Sequence, residues 1–489
     1  MSTKISYFIQ TFAVILVAAI CFLVFKEFLP KRIFSDVTVA KENVVIDSLL
    51  LESLETASAA PSIDTFAKKR IVFNPTDGIV FPAETYETYS GYQFLIPFYE
   101  KLYQLEKTTT GNVRIAYFGD SMTDGDLIVQ DLRKQMQSKY GGNGVGFVSV
   151  SSESAASRSS ITHQYSPNWK KVSYVNIKRP EKPFGVNGHV FFANDTMYNP
   201  WVRFKAGLLK NATQLNNPTL FYGNSTNKEG KVIVRIDKDS LSFKLNPERK
   251  LNTLSINSSH LKSFKAEFFK ADSIPIYGFN FDDGKGIHVD NFSSRGNSGL
   301  PISLFNVDLM HQFQEKLGYD LIILHFGTNV LNYGTYSYDW YEKRMTRVVN
   351  HIRECFPEVS ILVVSTADKS TKYDLELQTD SAVVPLTLAQ RKYAVQSNSA
   401  YFNLFQAMGG EGSMVKWVDE EDPPLANKDY THFNYKGSQK VASLLHDQIQ
   451  KGYEQYKLMR SKRKTNLQPK IKSQPTDTVT PKNQTIDAK

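Results

Sequence analysis

Apolar and polar positions change texture several times along this 489-residue chain. Ile5 to Phe25 carries no charged residue, and as a helix that length covers about 31 Å, enough for a bilayer core. Phe34 to Thr65 is polar, with Ser, Ala and Glu, and reads as a stalk of some helical character. Apolar residues recur at helical spacing over Tyr92–Glu106, Ile115–Phe118 is a short apolar run, and Leu127–Tyr140 is amphipathic again. A strand running into a helix is therefore predicted around Gly119-Asp120-Ser121.

From about Ser149 to Ile287 the period shortens. Alternating runs such as Lys231–Ile236 and Leu241–Leu245 are separated by Asn, Asp, Gly and Pro, the pattern of a β-sandwich. Helix and strand then alternate once more: helix over Ile302–Leu317, strand over Leu321–Phe326, helix over Tyr341–Cys355, strand over Ile361–Ser365 and a closing helix over Tyr435–Gln450. The expectation is an α/β domain over 91–148 and 288–452 interrupted by a sandwich over 149–287. A transmembrane anchor (5–25) and a stalk or linker (26–90) precede it, and a disordered basic tail (453–489) follows.

Charge alters this picture little. The formal net charge is +9, but from Lys451 onward ten Lys/Arg stand against three Asp/Glu, leaving about +2 for the rest. A nucleic-acid footprint on the folded part is not expected. Two cysteines, Cys21 and Cys355, imply neither a disulfide framework nor a thiol metal site. The apolar run is long for a signal peptide and no convincing A-x-A site follows it, so an uncleaved single-span anchor is expected. Lys4 before the span against Lys26, Lys31 and Arg32 after it would place the C-terminal side in the cytoplasm, a bias that long C-terminal domains override.

Four polar clusters sit where chemistry could occur. Ser121 falls at a strand-to-helix turn, where open α/β folds place ligands and where helix N–H groups can receive an anion; taken alone, capping explains it as well. Gly327-Thr328-Asn329 ends another strand, so the Asn329 amide could donate into the same crevice or merely cap a turn. Gly296-Asn297-Ser298-Gly299 precedes a helix and could offer backbone N–H groups, or be an ordinary loop. Asp429-Tyr430-Thr431-His432 could bend its carboxylate back to the imidazole Nδ1–H and leave Nε2 as a base.

In this order the four clusters resemble the SGNH (GDSL-type) hydrolase superfamily, over Tyr92 to about Gln450. The resemblance implies a three-layer, flavodoxin-like parallel sheet. It implies Ser121 as nucleophile, His432 as general base and acid, and Asp429 as its orienting partner. Oxyanion donors would be the Ser121 and Gly299 N–H groups and the Asn329 side chain, with Gly296 the alternative glycine. Val330 stands where the family often has Asp, and Met122 replaces the His of a G-D-S-H form. The closest similarity is to peptidoglycan and polysaccharide O-acetylesterases with an inserted carbohydrate-binding-like sandwich. Tyr165, Trp169, Tyr174, Tyr198, Trp201 and Tyr222 could offer sugar platforms there, but aromatics in a sandwich are more often core. No cofactor or metal is implied. The expected partner is an acetylated cell-wall or surface polysaccharide, with the catalytic domain outside the cytoplasm. An O-acetyltransferase working with an acyl-transferring membrane protein is the alternative.

Overall fold

The computed structural model describes residues 16–17, 47–55 and 70–463, apart from 196, 257–259 and 332–336. Contacts divide the chain into Met1–Val45 and Ile46–Lys489, and every element named below lies in the second unit. The expected anchor over 5–25, except Leu16 and Val17, lies outside the described residues. Among the described residues no helix is long and apolar enough to cross a membrane.

Five parallel strands form the central sheet: β1 (Asn112–Gly119), β2 (Gly286–Ser293), β3 (Tyr319–His325), β4 (Ser360–Val364) and β5 (Ala400–Phe402). Their order is β2-β1-β3-β4-β5. Apolar runs such as Leu321–Leu324 form strands here because both faces are covered. Helices α1 (Ile96–Thr108), α2 (Val129–Tyr140) and α6 (Tyr435–Ser461) pack together on one face. Helices α3 (Val307–Leu317), α4 (Asp339–Cys355) and α5 (Val383–Gln396) pack together on the other. Asn306 caps α3 by accepting from the Leu309 N–H at 3.0 Å, and Asn434 caps α6 by accepting from Gly437 at 3.0 Å. In this order the connection from β1 runs one way and that from β2 the other, so the crevice between β1 and β3 is the topological switch point.

Between α2 and β2 the chain leaves the sheet and builds two antiparallel sheets. One joins strands Ile161–Tyr165, Trp201–Ala206, Ser263–Phe269, Lys231–Ile236 and Asp239–Lys244 edge to edge. The other includes Thr219–Gly223 and Ile276–Phe281, with Gly146–Val148 paired onto Phe279–Phe281. Inward residues of both, among them Val202, Phe204, Val234, Phe264, Phe279 and Phe281, form one apolar core. Gly144 (φ 111°) passes so close to the returning chain that a Cβ there would meet the Phe281 carbonyl at 2.1 Å.

The structure alters two of the expected boundaries. The linker expected to reach residue 90 already meets the fold at Asp47–Leu50, and from residue 70 it is part of it. There Phe81, Tyr86 and Tyr89 are buried, and the two tyrosine hydroxyls donate to the Leu388 and Ser399 carbonyls at 3.0 and 2.7 Å. The tail expected to begin at 453 is helical through Ser461. Tyr453 and Tyr456 bury against Tyr99, and Arg460 binds Glu100 at 3.0 and 3.1 Å. Aromatic pairs at helical spacing thus extend the helix into a basic, polar stretch.

His163 in the sandwich is buried and stacks on Phe204. Its Nε2–H donates to Val150 O at 2.9 Å, while Nδ1 has no partner. Burial pushes its pKa down to about 3. The unfolded chain therefore binds a proton at this ring below about pH 6.5 that the folded chain refuses, so stability falls with acidification. Between about pH 6 and 4, wild-type stability should fall more steeply than that of His163→Gln by about 1.4 kcal/mol per pH unit. Urea unfolding at stepped pH measures this, and parallel slopes would contradict it.

Candidate active site

Register brings three loops to one edge. Gly119, the last residue of β1, pairs with Ser293 of β2 and His325 of β3. The segments after them, Asp120-Ser121, Ser294–Gly299 and Gly327–Asn329, therefore emerge side by side.

Ser121 Oγ lies 2.9 Å from His432 Nε2, and His432 Nδ1 lies 2.8 Å from Asp429 Oδ2. The second Asp429 oxygen accepts from the His432 and Thr431 backbone N–H groups, each at 3.0 Å. Burial opposes the charge on Asp429, but the imidazole and these two N–H groups hold its carboxyl below the usual range. An ionised Asp429 accepts from Nδ1–H and leaves Nε2 as the acceptor facing Ser121. The dyad is open to solvent: the His432 and Asp429 side chains keep 38% and 47% of their exposure. Together with Arg295, Asp124, Ser154 and Asn427 they line a cleft of about 280 Å³.

Asp120 is fully buried and holds the crevice together. It accepts from the Met122 N–H at 3.0 Å, and its carboxylate faces the backbone of Gly327 and Thr328 in the turn after β3. Burial, only partly offset by these donors and by His432, pushes its pKa up to about 6. Asn329 is half-buried and donates one amide hydrogen to Asn297 O at 3.2 Å, leaving its second to give.

The glycine expected to donate does not face the cleft. The Gly299 N–H is taken by Asn297 Oδ1 at 2.9 Å, and Gly299 is buried so tightly that a Cβ would meet Phe326 at 2.8 Å. Gly296, the alternative, follows the cleft-lining Arg295 and is half-buried at φ 77°. The reason is the side chain of Asn297, which turns the loop inward by also donating to Tyr174 Oη at 2.9 Å. Asp47, from the stretch read as stalk, is buried and accepts from the Ser298 N–H at 3.0 Å and from its hydroxyl. Nothing in the local sequence around Asp47 marked that role.

A second buried carboxylate anchors the turn from behind. Asp126 accepts from Arg133 at 2.8 and 3.0 Å, from Arg158 at 3.2 Å and from Asn291 at 3.2 Å. Burial opposes its charge, yet the two guanidiniums hold its carboxyl well below the usual range. Among the described residues no three His, Cys, Asp or Glu side chains converge as a metal site.

Asp126→Ala would leave Arg133 and Arg158 buried and uncompensated, and should cost about 3–5 kcal/mol of stability. Urea unfolding tests this; a loss within about 0.5 kcal/mol, the size of an ordinary surface change, would contradict it.

No family model matches the chain, and no curated protein matches it in sequence. Among solved structures it resembles a peptidoglycan O-acetylesterase, with TM-score 0.59 and 21% identity over 75% of this chain and 96% of the other. A family two carbohydrate esterase from Cellvibrio japonicus aligns over 60% of this chain and 98% of the other, at 11% identity and TM-score 0.24. An acetyl xylan esterase aligns over 33% and 81%, at 16% and 0.24. The last two likenesses are too slight to bear on the fold. The chain thus shares the fold of the solved peptidoglycan O-acetylesterase, and Ser121, His432 and Asp429 meet at the switch point of its sheet.

Proposed function

We propose that the chain is a serine carbohydrate esterase that removes O-acetyl groups from peptidoglycan or another envelope polysaccharide. The observation that carries this reading is the continuous Ser121–His432–Asp429 hydrogen-bond chain, at 2.9 and 2.8 Å, in an open cleft at the switch point. The solved peptidoglycan O-acetylesterase, which has the same fold, favours an acetylated glycan as substrate.

In this reading Ser121 Oγ attacks the acetyl carbonyl carbon while His432 Nε2 takes the hydroxyl proton. Charge gathers on the former carbonyl oxygen. The Ser121 and Gly296 N–H groups and the free amide hydrogen of Asn329 are the donors proposed for it. Collapse breaks the bond to the sugar oxygen, and His432 returns the proton to that oxygen as it leaves. Water, deprotonated by His432, then cleaves the acetyl-serine to acetate and restores Ser121. Asp429 keeps the imidazole in the tautomer that both half-reactions use. The exposed dyad favours water as the final acceptor. An acceptor sugar in its place would make the protein an O-acetyltransferase. Attachment to a membrane through residues 5–25, with the catalytic domain outside the cytoplasm, belongs to the same proposal.

The test is acetate release from O-acetylated peptidoglycan and from a chromogenic acetyl ester, with and without acceptor sugar. Ser121→Ala should lower kcat by at least about 10⁴-fold, and Asp429→Asn by about 10³–10⁴-fold. Asn329→Ala should lower kcat by roughly 100- to 1,000-fold with KM little changed. Full activity in Ser121→Ala would contradict the proposal, and acetylated acceptor in place of acetate would favour the transferase.

A further inference from the structure

The outer face of the five-stranded sandwich sheet is strongly basic. Cross-strand register sets Gln164, Arg203, Lys265, Arg235 and Ser240 in one row across all five strands. Three of these are cations on adjacent strands, about 4.8 Å apart at each step. Like charges directly opposite one another destabilise a sheet. The neighbouring row adds Lys205 between Thr162 and Ser263. One carboxylate, Glu267, answers Arg235 and Lys265, each at 2.6 Å. Among the described residues Arg203 and Lys205 have no ion-pair partner, and both are exposed. Arg203, Lys205, Arg235 and Lys265, with Gln164 and the single carboxylate Asp237, line a groove of about 530 Å³. The half-buried Trp201 ring flanks it, with the Lys265 ammonium 4.7 Å from the ring centroid.

A folded part that is otherwise nearly neutral has thus collected cations where they repel one another. A bound anion removes that cost. We propose that this groove binds the carboxylate groups of an acidic polysaccharide strand. The strand lies across the Arg203–Lys265–Arg235 row, with Lys205 beside it and Gln164 and Thr162 donating to sugar oxygens. A glycan is favoured over other polyanions because a short chain segment links the groove to the cleft. Ser154 and Ser157 line the cleft, and Thr162, five residues after Ser157, lines the groove. Those five residues span at most about 18 Å of extended chain. One polymer can therefore lie on the basic row while presenting an acetyl group to Ser121. The choice of glycan rests on the proposed function; the anion site does not.

The test uses the full chain in detergent, carrying Ser121→Ala so that no turnover occurs, with polygalacturonate as probe and dextran as the neutral comparison. Calorimetry should show salt-sensitive binding of polygalacturonate and none of dextran. Adding Arg203→Ser and Lys205→Ser should weaken binding at least about tenfold. Because repulsion is relieved, the melting temperature should stay level or rise. In the chain with Ser121 intact, the same two changes should leave hydrolysis of a small acetyl ester unaltered. Equal binding by the double variant, or polygalacturonate binding no tighter than dextran, would overturn the site. Duplex DNA or phosphatidylserine vesicles binding as tightly as polygalacturonate at the same salt would overturn its assignment to a glycan.

Discussion

The carboxylate of Asp126 faces two buried arginines, Arg133 and Arg158, and through them fastens the turn after β1 to α2 and to the start of the sandwich. Asn291 of β2 and the Ser160 hydroxyl complete its shell. The turn it holds is strained. Gly125, Asp126 and Ile128 all have positive φ, near 65°, and for the β-branched Ile128 this is a rare conformation. Such a backbone persists only where its surroundings over-determine it. A second network, Arg114 with Asp290 at 2.8 Å and Asp282 at 2.6 Å, ties β1 and β2 to the sandwich. The sandwich is therefore joined to the α/β domain by buried charge as well as by chain continuity.

Asp120 works at the crevice as Asp126 works behind it. Its buried carboxylate accepts from the Met122 N–H within the turn bearing Ser121 and faces the backbone of Gly327 and Thr328 across the switch point. Asn297 does the same for the third loop, receiving from Gly299 and Asn329 and giving to Tyr174 of the sandwich. Each side chain acts on the proposed chemistry by fixing a backbone segment. Groups that must line up to within a fraction of an ångström are held by buried, fully paired polar atoms.

The local pattern reveals the elements whose burial is uniform. β1, β3 and β4 each carry an apolar run of four residues (Ile115–Phe118, Leu321–Leu324 and Ile361–Val364), and α1, α2, α4 and α6 announce themselves by helical spacing. β2 does not, because His288 and Asp290, the second of them the partner of Arg114, are buried within it and interrupt the run that marks a buried strand. The Ser121, Asn329 and Asp429/His432 positions are legible because each follows or precedes a recognisable element. The glycine register is not: Gly296 and Gly299 look alike in sequence, and only the inward turn of Asn297 separates them. Asp47 and the cation row are invisible for a different reason. Both depend on pairings between residues distant in sequence, Asp47 with Ser298 and Arg203 with Lys265 and Arg235.

The direct measurement is mass spectrometry of the protein quenched in acid during turnover of an acetylated substrate, with the peptide that carries Ser121 sequenced. An increase of one acetyl group on Ser121, absent in Ser121→Ala and lost on a chase without substrate, is expected. Steady hydrolysis with Ser121 never acetylated, or with the acetyl group on another residue, would contradict a nucleophilic Ser121.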